Sequence, residues 1–246
     1  MNESSATTIE TPAAKKRSIF QDRNRTNLFK TAEQQTLAWL CERIPAFVTS
    51  DMLSVLGFLG SVLVGISFVL AKSNSYYILF GVLGFAIQWF GDSLDGRIAY
   101  YRNKPRKWYG FGLDMCIDWF ATVVICLGFY FYLPEGYQLL AFTYAASYAL
   151  LMIVALMKYK ISGQYLIDTG LVGPTELRIA ICLVFVTELV IPGTLNFFAI
   201  AINVILLIIG FLDFRLMLRM GNERDAAERE QRKSELDAID KNRKVA

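Results

Sequence analysis

Six stretches of nearly unbroken apolar sequence, each about as long as a bilayer is thick, constrain this chain more than any other feature. They run over roughly 52–71, 75–95, 109–132, 137–157, 175–191 and 195–217. Segments of this length read as membrane-spanning helices, whose backbone groups are satisfied internally. With 54% hydrophobic residues and a mean hydropathy of +0.38, the chain is too apolar for a soluble domain with a charged surface. The expected fold class is all-α and integral to a membrane: six transmembrane helices plus an N-terminal amphipathic interfacial helix. Residues 31–218 form the membrane domain, between a polar tail over 1–30 and a charged tail over 219–246.

Loop charge orients the spans. The connections after the first, third and fifth carry one basic residue, Lys72. The connection between the second and third carries Arg97, Arg102, Lys104, Arg106 and Lys107, and the one after the fourth carries Lys158 and Lys160. By the positive-inside rule both termini face the cytoplasm, which in a bacterium makes this an inner-membrane protein. The first 29 residues have no apolar core of a signal peptide. Over 31–46, Thr31-Ala32-Glu33-Gln34 fits a capping box, and Leu37, Leu40, Cys41 and Ile44 follow at helical spacing. That helix suits the interface or the protein's own cytoplasmic face, and Pro45 ends it.

Between the second and third spans lie Asp92, Asp95, Asp114 and Asp118. An Asp at mid-membrane is unfavourable by about 2.5–3.5 kcal/mol, so four together need compensation. Oxygen-seeking divalent cations such as Mg²⁺ can supply it. Asp92 and Asp95 are i,i+3 while Asp114 and Asp118 are i,i+4, so each pair shares a helix face. Two such helices converge carboxylates on one or two metal ions. Gly96 and Gly110 leave room for close approach of a ligand, and Ala99 keeps the same face thin. The chain has no histidine, which excludes a Ser-His-Asp hydrolase, a His-ligated zinc site and a phosphohistidine mechanism. Cys41, Cys116, Cys126 and Cys182 show no paired spacing and read as small buried hydrophobes, not as a disulfide or metal framework.

Asp92-Ser93-Leu94-Asp95-Gly96-Arg97-Ile98-Ala99, followed by Gly110, Asp114 and Asp118, resembles the signature of the CDP-alcohol phosphatidyltransferases, D-x-x-D-G-x-x-A-R…G-x-x-x-D-x-x-x-D. Every acidic and glycine position matches. Tyr100 stands where that family has arginine, and Arg102, seven residues beyond Asp95, is the candidate substitute. The resemblance spans roughly residues 33–219 and implies Mg²⁺ or Mn²⁺, two ions, held by Asp92, Asp95, Asp114 and Asp118. Asp118 doubles as general base.

The start of the first span, Thr49-Ser50-Asp51-Met52-Leu53-Ser54, is similar to that family's P-N-x-x-T. This makes Ser50, Asp51 and Ser54 nucleotide-facing candidates, with a plain helix cap at Ser50 or Asp51 the alternative. Gly96, Ala99, Gly110, Arg102, Arg106 and Lys107 complete the nucleotide- and phosphate-binding candidates, although topology alone explains most of the loop cations. Pro105 breaks the helix and lets the loop fold back. Gly57, Ser61 and Gly65 form a small-residue ridge for internal packing or a homodimer. Glu176 and Arg178 open the fifth span and read either as helix-start chemistry or as acceptor-binding residues. Asp168, Asp213 and Arg215 are weaker candidates.

The implied function is transfer of a phosphatidyl group from a CDP-linked lipid, CDP-diacylglycerol above all, to a polar alcohol with release of CMP. Inositol phosphate, inositol, glycerol phosphate and serine are the acceptor types. The partners are these two reactants and membrane lipid, with no nucleic acid. Three alternatives stand beside it: a CDP-linked small alcohol attacked by a lipid hydroxyl, an inactive relative acting as scaffold, and a metal or solute transporter.

Overall fold

The computed structural model describes residues 30–163 and 174–245. Among these there is no strand; the elements are α1 (Lys30–Arg43), α2 (Ser50–Ala71), a 3-10 turn (Ser75–Ile78), α3 (Leu79–Tyr101), α4 (Lys107–Tyr132), α5 (Leu139–Ser162), α6 (Pro174–Val190) and α7 (Thr194–Val245). Five of the helices, α2, α3 with its leading turn, α4, α5 and α7, are long and apolar enough to cross a membrane. The described part of α6 has 17 residues, about 25 Å at the helical rise, which is the short end of the spanning range. Large apolar side chains such as Leu59, Leu83, Phe120, Leu127 and Phe131 are exposed along these helices, as lipid-facing residues would be.

The described residues fall into two compact units. The first comprises residues 30–141 and 174–198, and α2 is its central helix. α2 packs closely along both α3 and α4, whereas α3 and α4 make little backbone contact with each other. Glycines permit this. A Cβ on Gly60 would come within 2.6 Å of backbone atoms of Gln88 and Gly84 on α3, and one on Gly65 within 2.8 Å of Val124 O on α4. Gly57, Ser61 and Gly65 are therefore spent inside the bundle, the internal reading of the ridge. Phe68, Phe85 and the fully buried Phe185 lock α2, α3 and α6 together, with the Phe68 and Phe185 rings 5.2 Å apart.

α1 packs its expected apolar stripe on this unit: Leu37 and Cys41 are buried against Leu53, Leu94 and Ile98. Its helix has already begun at Lys30, ahead of the expected Thr31 cap, and the Glu33 carboxylate is used elsewhere. Glu33 pairs with Arg97 on α3 at 3.6 Å and accepts from Thr175 Oγ1 on α6 at 3.3 Å. The cap of α2 is Thr49, whose hydroxyl accepts from Met52 N at 3.2 Å; the expected caps Ser50 and Asp51 lie inside the helix.

α3 does not run to Pro105. It ends at Tyr101 in a Schellman motif: Asn103 takes a left-handed φ of 55°, its N–H bonds to Tyr100 O, and Lys104 N bonds to Ala99 O. At the opposite end of this unit, buried Glu188 accepts from Tyr132 Oη, Gly193 N and Leu195 N at 2.9, 2.9 and 2.7 Å, tying α4 and α6 to the first turn of α7.

The second unit comprises residues 142–163, which hold most of α5, and residues 199–245 of α7. Thr143 bonds to Asn203 at 2.8 Å, Lys158 pairs with Asp213 at 3.1 Å, and Arg224 caps α5 through the carbonyls of Lys160 and Ile161. The charged C-terminal run continues the α7 helix, with its described side chains largely exposed.

Candidate metal centre and ligand cleft

α3 and α4 both pack on α2, and the cleft is lined by all three helices. Ser54, Gly57, Phe58 and Ser61 of α2 form its floor; Gln88, Asp92 and Asp95 line one wall, and Asp114, Ile117, Asp118 and Ala121 the other. Each set repeats at three and four residues, as a single helix face must. Asp114 and Asp92 lie seven and nine residues from the facing ends of α4 and α3, about 10–14 Å along the helices, so the carboxylates are recessed.

Asp92, Asp114 and Asp118 converge: one carboxylate oxygen from each lies within 4.8 Å of the others, and all three residues are half-buried. An all-oxygen anionic donor set at that separation fits a hard divalent cation and disfavours soft metals. Asp95, the fourth expected ligand, lines the cleft but is not part of that trio. Its Oδ2 accepts from Ser54 Oγ at 2.6 Å and its Oδ1 from Gly96 N, while its backbone carbonyl accepts from Ser50 Oγ at 2.9 Å. Ser50 and Ser54 thus hold the second acidic residue, a supporting role that their resemblance-based reading did not include.

Arg178 reaches the cluster from α6, with Nη2 2.7 Å from Asp92 Oδ2. It brings one positive charge to a group of four carboxylates. Glu176, also near the α6 start, is half-buried. Gly96 and Gly110 have no atom of a neighbouring element, among the described residues, within 4 Å of where a Cβ would stand, and neither has a positive φ. Neither packing nor backbone conformation requires glycine there, so open space is what the two positions provide. Ala99 is half-buried farther along α3.

The loop cations separate. Arg106 pairs with Asp51 and lies 4.3 Å over the Tyr109 ring, an exposed arrangement joining the starts of α2 and α4. Lys107 is exposed at the first residue of α4. Arg102 is committed elsewhere: its guanidinium donates to the carbonyls of Ile44, Pro45, Ala46 and Val48, closing the C-terminal end of α1 and the turn after it. These bonds place Arg102 on the α1 side of the α3 end, and it is not among the residues that line the cleft.

Asp168 lies outside the described residues; Asp213 pairs with Lys158, and Arg215 lies over the Phe211 ring. The four cysteines are free; Cys41 and Cys126 are buried and Cys182 is half-buried, but Cys116 is exposed, against the burial expected of it, because it lies on the face of α4 turned away from α2 and the cleft. Gln88 was missed, although it stands at i−4 from Asp92 and i−7 from Asp95 on the same face. No protein-family model and no curated protein sequence matches the chain.

Proposed function

We propose that this chain is an integral membrane enzyme that transfers a phosphatidyl group from a CDP-linked lipid, such as CDP-diacylglycerol, to a polar alcohol with release of CMP. The observation that carries the reading is the meeting of Asp92, Asp114 and Asp118 within 4.8 Å, beside Arg178, at the spacing of the phosphatidyltransferase signature. In this reading α6 is a sixth span, and loop charge puts both termini and the cleft on the cytoplasmic side. α1 then lies along that interface, with Leu37 and Cys41 on the bundle and exposed Trp39 and Phe47 toward the head groups.

Asp92, Asp114 and Asp118, with Asp95 beside them, would hold Mg²⁺ or Mn²⁺, which neutralises the diphosphate and makes CMP a better leaving group. The rest of the chemistry belongs to the side chains. The diphosphate enters where Gly96 and Gly110 leave space, while the lipid tails stay in the bilayer. Arg178 offers its charge to phosphate oxygens. The alcohol oxygen bonds to the lipid-bearing phosphorus as the bond from that phosphorus to CMP breaks. Asp118 takes the hydroxyl proton, and CMP departs with the bonding pair. Ser54 keeps the Asp95 carboxylate from swinging out of the cleft, and Ser50 holds the Asp95 backbone carbonyl.

The test is CMP release by purified protein from CDP-diacylglycerol across a panel of alcohols and phosphorylated alcohols, with Mg²⁺ or Mn²⁺. Release with one acceptor that is lost in Asp118→Asn supports the reading. Release only from a CDP-linked small alcohol reverses donor and acceptor, and no release from either donor overturns it.

A further inference from the structure

The cleft continues past the carboxylates. Gln88 stands four residues before Asp92, about 6 Å farther from the α3–α4 loop, and lines the cleft with Phe58, Ser61 and Ala121. Its side-chain Oε1 is buried and has no hydrogen-bond partner among the described residues. Ser61, the other polar side chain at that depth, donates its own proton to Gly57 O at 3.4 Å. A buried carbonyl without a donor is unfavourable. A leucine or methionine would fill the same volume without that penalty, so packing supplies no reason for an amide here.

We infer that Gln88 is a binding residue at the inner end of the cleft, whose side-chain oxygen accepts a hydrogen bond from a hydroxyl or amino group of the polar reactant seated at the carboxylates. The inference rests on the proposed function for the class of that reactant. A cytidine nucleotide and a polyol acceptor both carry such donors, whereas the esters of a diacyl lipid carry acceptors only. A reactant without the donor leaves the oxygen unpaired and is discriminated against on that ground.

The experiment uses the full-length protein with Gln88→Met and, as a second apolar replacement, Gln88→Leu. Three quantities are measured: Tm, CMP affinity in Mg²⁺, and the KM for the alcohol in the CMP-release assay. Removing an unpaired buried oxygen leaves Tm unchanged or raises it. Loss of the ligand contact weakens CMP binding or raises the alcohol KM about 5- to 10-fold, and the quantity that moves identifies which reactant Gln88 touches. Variants that match wild type in both, or that lose both along with a fall in Tm, overturn the inference. A wild-type protein that neither binds nor releases CMP overturns the proposed function and this inference together; an active wild type with unaltered variants overturns the inference alone.

Discussion

Arg178 Nη2 lies 2.7 Å from Asp92 Oδ2, so the start of α6 is tied to the acidic cluster by a charge-assisted hydrogen bond across 86 residues of sequence. The same helix start is also held by Thr175, three residues earlier, which donates to Glu33 of α1. α6 therefore enters the site at a determined height. Arg178 also offsets part of the repulsion among Asp92, Asp95, Asp114 and Asp118, as a bound divalent cation would.

From this follows the response of Arg178→Ala to metal. Without the guanidinium the metal-free cluster repels itself more strongly and Tm falls, whereas added Mg²⁺ meets no competing positive charge. Thermal melts with and without Mg²⁺ are expected to show a larger metal-induced rise in Tm for the variant than for wild type, together with CMP release lowered about 10-fold or more.

Gly96→Ala and Gly60→Ala separate space kept for a ligand from space filled by a neighbouring helix. Gly96 is helical with nothing near its missing Cβ, so alanine stabilises the free protein by about 0.5–1 kcal/mol while intruding on the bound diphosphate. Gly60 meets the backbone of α3, so alanine there forces α2 and α3 apart and lowers Tm. Melting curves and CMP release on both variants check the opposite signs.

Ser54→Ala removes the 2.6 Å hydrogen bond to Asp95 without touching the trio of converging carboxylates. A hydrogen bond to a charged acceptor is worth about 1.5–3 kcal/mol, and its loss frees Asp95 to rotate. The expected outcome is reduced turnover with uptake of the first metal ion retained, read by CMP release against metal titration.

Arg102→Ala tests the position of this arginine away from the cleft. The variant releases the carbonyls of Ile44, Pro45, Ala46 and Val48 and so loosens α1. Cys41, buried under α1, reports this: burial above all pushes its thiol up to about 11 from an ordinary 9.0. Favouring the neutral thiol stabilises the docked helix below about pH 9, and that contribution is lost as pH rises toward 11. Maleimide labelling of Cys41, with the other three cysteines replaced by serine, is therefore expected to be slow until that range with Arg102 present, and to accelerate near neutral pH in Arg102→Ala.

Glu188→Ala leaves Gly193 N and Leu195 N without their acceptor at the far end of the bundle. The expected loss is on the order of 3 kcal/mol, with Glu188→Gln losing less, as read from thermal stability in detergent.

The helices and the acidic pairs were legible in the sequence because both depend on local spacing: apolar length for the spans, i,i+3 and i,i+4 for Asp92/Asp95 and Asp114/Asp118. Other features were set by tertiary contact. Arg102 reads from spacing as a candidate on the Asp95 face, whereas its bonds to the carbonyls of Ile44, Pro45, Ala46 and Val48 depend on where α1 packs. Glu33 fits a capping box by spacing, yet packing of α1 on α3 and α6 turns its carboxylate to Arg97 and Thr175. Ser54 was legible as a polar residue at a helix start, while its bond to Asp95 depends on how closely glycines let α2 approach α3. Gln88 carried a readable signal, the shared face with Asp92 and Asp95, but an amide within an apolar run gives no sign that its oxygen is left unpaired.

The most direct measurement is Mn²⁺ binding followed by electron paramagnetic resonance on the purified protein and on Asp92→Asn, Asp114→Asn and Asp118→Asn. Wild type is predicted to quench the aqueous Mn²⁺ signal in a manner reversed by excess Mg²⁺ and altered by CMP, and each variant to bind far more weakly. An aqueous signal undiminished by wild-type protein, or quenched equally by all three variants, would contradict a metal centre at these carboxylates.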